Sequence, residues 1–125
     1  MTARLALILA SLLLALAVAL GAFGAHALKS RLAPDLQAVW QTAVEYHAWH
    51  ALGLFGVGLY LLHRPEVAGT AWSAWLFIAG IVLFSGSLYA LALTGTRAFG
   101  AVTPIGGTAF IAGWLALALA VWRSD

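Results

Sequence analysis

The chain has 125 residues, 64% of them hydrophobic and 8% charged, and it contains no cysteine. So little polar surface cannot cover a water-soluble globule of this size, and the missing thiols exclude disulfides, thiolate metal sites and cysteine nucleophiles. Six Lys or Arg stand against four Asp or Glu, but they are scattered singly, so no basic patch large enough for nucleic acid forms.

The first apolar run, residues 5–23, is interrupted by Ser11 and Gly21. As a helix it measures about 28 Å, close to the roughly 30 Å thickness of bilayer hydrocarbon. A cleaved signal peptide is the rival reading, because Arg4 precedes the run and Ala25-His26-Ala27 resembles a small-residue cleavage site. The run exceeds the usual apolar core of about 7 to 15 residues, so we expect a retained span.

Residues 34–45 change to mixed polarity. Leu36, Val39, Trp40, Ala43 and Val44 recur at helical spacing, while Gln37, Gln41 and Glu45 form an i, i+4 stripe. This pattern predicts an amphipathic helix lying at the membrane interface. Pro34 suits its first turn and Asp35 complements the positive helix end.

The second span is predicted over residues 43–62. Its purely apolar part, Ala51 to Leu62, is only about 18 Å long and cannot cross the bilayer unaided. Extending it backwards draws His50 beneath the headgroups, where polar groups face the bundle or a wet cavity rather than lipid. Pro65 then closes the helix at a loop carrying His63, Arg64 and Glu66.

The third span is predicted over residues 71–93, with Trp72 and Trp75 near one end and Tyr89 near the other. Thr103 is a candidate N-cap and Pro104 a first helical residue for the fourth, over residues 104–122. Gly21 with Ala25, Gly53 with Gly56, Gly86 with Ala90 and Ala109 with Gly113 are small-residue pairs that permit close helix packing in lipid. The expected fold is one all-α membrane domain, a four-helix bundle with an additional interfacial helix between spans one and two.

Threading four spans through a bilayer gathers His26, Glu45, Tyr46, His47, His50, Tyr89, Thr94, Arg97 and Thr103 at one face. Arg4, His63, Arg64, Glu66, Arg123 and Asp125 fall at the other and read as solvated loop and terminal charges. The basic residues divide evenly between the faces, so the positive-inside rule scarcely discriminates; the terminal amine tips both termini towards the cytoplasm.

Four motifs taken in order carry a family resemblance: Gly21-Ala22-Phe23-Gly24-Ala25-His26; Glu45-Tyr46 with His50-Ala51-Leu52; Leu83-Phe84-Ser85-Gly86-Ser87-Leu88-Tyr89; and Thr103-Pro104-Ile105-Gly106-Gly107 with Phe110 and Gly113-Trp114. Together they resemble the YgdD family of small bacterial inner-membrane proteins, which has relatives in mitochondria. The resemblance implies a four-span protein of the bacterial inner membrane and brings no established activity with it. His47 stands where that family usually has glutamine, so no site that requires His47 is built.

The candidate polar cluster is His26, Glu45, Tyr46, His50, Ser85, Ser87, Tyr89, Arg97 and Thr103. Its expected role is structural or accessory, or the holding of a lipid or small ligand. One alternative is a haem or metal site using His26 and His50, since neutral imidazoles ligate both. The bland reading, in which both histidines are satisfied within the polar cluster, is preferred, and no cofactor is expected.

Arg97 ahead of the Thr103-Pro104 helix start suggests anion or lipid-headgroup binding, against an ordinary interfacial arginine snorkelling to phosphates. A small transporter acting as an oligomer is a further alternative. The one-sided distribution of polar residues argues against a pore. Ser85, His50 and Glu45 supply the residue types of a hydrolytic triad, but no nucleophile elbow or metalloprotease signature accompanies them, so no catalytic residue is named. Membrane lipids are the expected partners, together with a second copy of the chain or another membrane protein to which this one is accessory.

Overall fold

The computed structural model describes residues 1–124; Asp125, expected among the terminal charges, lies outside the described residues. The fold is entirely helical over that length. Helix α1 (Ala3–His26) is followed by α2 (Pro34–His63). A third rod combines α3 (Thr70–Gly80), a wide π-helical turn (Ile81–Ser85) and α4 (Gly86–Thr94); after a 3₁₀ turn (Arg97–Ala101) comes α5 (Thr103–Trp122). Among the described residues three stretches are long and apolar enough to cross a membrane: Ala3–His26, Thr70–Thr94 and Arg97–Trp122.

The amphipathic segment is not a separate interfacial helix. Residues 34–45 are the first part of α2, which runs unbroken for 30 residues, about 45 Å at the usual rise. The sequence explains the continuity, because no glycine or proline occurs between Pro34 and Gly53 to stop the helix. Pro34 occupies the first turn, where its missing N–H costs nothing, and Asp35 stands beside it.

The other ends have local causes. The Thr2 hydroxyl caps α1 by accepting from the Leu5 N–H at 3.2 Å. Gly95 ends α4 at φ +69°, a left-handed conformation that glycine adopts without steric cost, and its N–H closes on the Leu91 carbonyl at 2.8 Å. Thr103 is not the N-cap of α5; Val102 holds that position and Thr103 is the first helical residue.

Helix α2 is the centre of the bundle. It packs against α1 on one side and against α3, the π turn and α4 on another, while α5 lies along α3 and the π turn. Buried residues follow α2 through Trp40, Ala43, His47, His50, Leu54, Val57 and Leu61. Ala6, Ala10 and Ala17 of α1 face it, and Gly58 seats the Leu7 side chain.

Helices α3 and α5 meet through a reciprocal glycine–phenylalanine register. Gly113 of α5 seats Phe77, Gly80 of α3 seats Phe110, and Gly106 of α5 sits directly on the Phe84 backbone. Each glycine provides the hollow that the facing ring or chain needs, and dispersion at this close approach holds helices together where the hydrophobic effect gives no advantage.

The small-residue pairs read from sequence are only partly these seats. Gly53 lies under the Trp114 ring and Gly113 against Phe77, but Gly56 has nothing near it. Gly86, the first residue of α4, closes the π turn, its N–H reaching back five residues to the Ile81 carbonyl.

Candidate functional site

The site is a polar layer around the middle of α2. Helix α2 carries Ala43, Tyr46, His47 and His50 towards the bundle; the π turn and α4 bring Ser85, Ser87 and Tyr89; α5 contributes Thr103 and Phe110. The π turn accommodates one extra residue per turn, and wide turns of this kind often re-aim side chains at functional positions. Here it delivers Ser85 to α2.

Ser85, fully buried, donates from Oγ to the Ala43 carbonyl at 2.8 Å. Ser87 donates to the Phe84 carbonyl at 2.9 Å and lies 2.7 Å from the Thr103 hydroxyl. A serine has one proton to give, so Thr103 is the donor in that second contact. Thr103 therefore joins α5 to α4 rather than capping its own helix.

His50 is buried and its Nδ1 lies 2.7 Å from the Tyr46 carbonyl. A carbonyl only accepts, so Nδ1 carries the proton and the neutral ring keeps its lone pair on Nε2. The imidazole stacks on Phe110, with centroids 3.4 Å apart and planes within 11°. Phe77 and Trp114 flank it at 5.7 and 6.1 Å. Tyr46, half-buried, stacks on Phe84 at 4.5 Å.

His47 is the residue that sequence reasoning set aside and the structure puts at the centre. It is 1% exposed, and its Nδ1 meets the Tyr89 hydroxyl at 3.0 Å. Its Nε2 is buried with no partner in hydrogen-bond geometry, although the Leu13 backbone of α1 lies nearby. The signal that could have found it was its spacing: His47 lies on the same face as Ala43 and His50, one turn either way.

The remaining candidates do not join this layer. His26 ends α1 on the exposed surface and touches none of the groups around His50. Among the described residues no group of three or more His, Asp or Glu could hold a metal ion. Glu45 is exposed on the outer face of α2, lining an α1–α2 groove of about 270 Å³ with Gln41 and Gly21. Arg97 is exposed too, and it faces the start of α2 across a second groove instead of the start of α5.

Two further side chains bind α1 to α2. The Gln37 amide donates to the Gly24 carbonyl at 2.8 Å, and the Trp40 indole N–H to the Leu20 carbonyl at 2.9 Å. Gly24 lies in the last turn of α1, where carbonyls lack an intrahelical donor, so Gln37 acts as a cap supplied from a neighbouring helix. Gln37 thus belongs to an interhelical contact, whereas the sequence placed it on the polar stripe of an interfacial helix.

At the opposite end Arg64 donates to Glu66 at 2.7 Å and to the Ser124 carbonyl at 2.5 Å, tying the α2–α3 loop to the end of α5. The Arg64 hydrogen bond holds the exposed Glu66 carboxyl below the usual carboxylate range. A lowered folded-state pKa stabilises above the unfolded value and is lost as pH falls through the folded one. Wild type and Glu66→Gln should therefore differ slightly in melting temperature at neutral pH and converge in acid.

Comparison with known proteins agrees with this architecture. The family described as "Protein of unknown function (DUF423)" matches residues 20–107. Relatives include the UPF0382 membrane protein YwdK of Bacillus subtilis, 48% identical over 84% of this chain and 85% of its own, and the UPF0382 membrane protein SH2409 of Staphylococcus haemolyticus, 44% identical over 96% and 97%. The UPF0382 inner membrane protein YgdD of Escherichia coli is 43% identical over 91% of this chain and 86% of its own. No solved structure matches the chain. With three helices able to cross a bilayer and membrane relatives aligned along nearly its full length, this chain is an integral membrane protein and belongs to the DUF423 (UPF0382) family.

Proposed function

We propose that the protein is a structural or accessory component of the bacterial inner membrane, a four-span bundle in which α2 is the fourth span and the polar layer locks the helices to one another. The observation that carries this reading is the Ser85 hydroxyl donating to the Ala43 carbonyl at 2.8 Å, fully buried between two helices. Ser87, Thr103, His50 and Tyr89 likewise direct their hydrogen bonds inside the protein. Groups spent in this way hold helices in register and are not presented to a substrate. Polar side chains at membrane depth favour such mutual pairing because lipid offers no alternative partner.

Helix α2 owes its place as a span to its neighbours. Its histidines and Glu45 make it less apolar than the other three, but His47 and His50 are turned inward and covered. An even number of spans puts both termini on one side, which we take to be the cytoplasm, and association with a second copy or another membrane protein is part of the accessory role.

The test is unfolding in detergent micelles. Ser85→Ala and Tyr89→Phe should each lower stability by about 0.6 kcal/mol, the average measured for hydrogen bonds between membrane helices, and by no more than about 1.7 kcal/mol. Native mass measurement of the wild type should show protein with lipid and neither haem nor metal. Stoichiometric haem or metal would overturn the reading, as would substrate-driven flux in liposomes that disappears in His50→Ala.

A further inference from the structure

The groove beside Arg97 has a chemistry the polar layer lacks. It lies at the end of the bundle where α2 begins and α4 stops, and it encloses about 520 Å³, within the range of small-molecule sites. Leu36, Val39 and Leu91 form an apolar floor, Asp35 and Arg97 supply opposite charges, and Gly95 turns the chain between α4 and the 3₁₀ turn. Both charged side chains are exposed.

Asp35 and Arg97 share one groove yet form no ion pair or hydrogen bond with each other. Both charges thus border the same apolar floor. They sit between the end of the Thr70–Thr94 stretch and the start of Arg97–Trp122, the level at which a bilayer crossed by both would place its headgroups.

We infer that this groove binds a zwitterionic phospholipid bearing a primary amine, of the phosphatidylethanolamine type. The guanidinium of Arg97 presents paired N–H donors to the phosphate oxygens, and the Asp35 carboxylate accepts from the ammonium. Leu36, Val39 and Leu91 cover the start of an acyl chain.

Selectivity follows from the same residues. An anionic glycerol headgroup would bring no cation to Asp35 and would meet its carboxylate with like charge. A choline headgroup has no N–H to donate, and its recognition ordinarily uses an aromatic cage; no aromatic side chain lines this groove. The inference uses only the membrane location of the chain and stands apart from the role assigned to the polar layer.

Native mass spectrometry of the full chain in mild detergent tests it, titrating phosphatidylethanolamine, phosphatidylglycerol and phosphatidylcholine of identical acyl composition. The wild type should retain phosphatidylethanolamine about tenfold more than either competitor, as expected of charge-assisted contacts. Arg97→Gln should lower retention of all three lipids. Asp35→Asn, which keeps shape and fold, should remove the preference over phosphatidylcholine and raise phosphatidylglycerol binding, while Lys29→Gln, outside the groove at the same end, should change nothing. Equal retention of the three lipids by the wild type, or an unchanged preference in Asp35→Asn, would overturn the assignment.

Discussion

Alanine at Gly106 is expected to destabilise the protein more than alanine at any other glycine of α5. The new methyl would overlap the Phe84 backbone nitrogen and come within 2.7 Å of its Cα. Backbone cannot swing aside as a side chain can, so α5 must move off the π turn, breaking the Ser87–Thr103 contact and unseating Phe110 from Gly80. Overpacking of this kind costs about 1 to 3 kcal/mol, and a clash with backbone belongs at the upper end.

The adjacent glycine supplies the control. A methyl at Gly107 would meet the Phe84 ring at 3.6 Å, an ordinary contact, and one at Gly56 would meet nothing. Alanine at those positions should be neutral or stabilising by up to about 1 kcal/mol through helix propensity. Thermal melting of the three variants in one detergent decides the matter, and equal melting of Gly106→Ala and Gly107→Ala would refute the close-approach account.

Trp40→Ala should produce the other large loss, about 3 to 5 kcal/mol. Trp40 is 2% exposed, fills the hollow left by Gly24, and packs on Tyr89 at 4.7 Å and Phe23 at 6.0 Å. Removing the indole leaves a void among α1, α2 and α4 and strips the Leu20 carbonyl of its extra donor. Trp40→Phe separates the two effects: it keeps most of the volume and loses the hydrogen bond, for about 1 kcal/mol. If unfolding in micelles gave both variants the same stability, the packing of the ring would not be what joins α1 to α2.

Helical class was legible in the sequence because long apolar runs leave a membrane helix as the natural way to satisfy the backbone. The continuity of α2 was written there too, in the absence of glycine and proline between Pro34 and Gly53, but the polar stripe masked it. Gln37, Gln41 and Glu45 at i, i+4 spacing read as a wet face, whereas the Gln37 amide turns inward to the free carbonyl of Gly24. A side-chain donor reaching a backbone acceptor on another helix leaves no pattern in residue types, and the Ser85 to Ala43 contact was hidden for the same reason.

His47 was discounted because it departs from a family pattern, while burial is decided by the face a residue occupies. Placing Arg97 beside the start of α5 followed from nearness in sequence. The structure instead has Arg97, at the start of the 3₁₀ turn, lining a groove with Asp35 at the beginning of α2.

The π turn at Ile81–Ser85 divides its rod into two halves with different phases. An α-helix advances about 100° per residue, and the wide turn takes up about one residue more than an α turn, so winding these same residues as continuous α-helix would rotate everything beyond them by roughly that angle. Phe77 and Gly80 would keep facing α5, while Ser87 and Tyr89 would swing away from Thr103 and His47. One inserted residue thus acts as an angular offset, letting the same rod grip α5 by shape along one half and its polar neighbours by hydrogen bonds along the other.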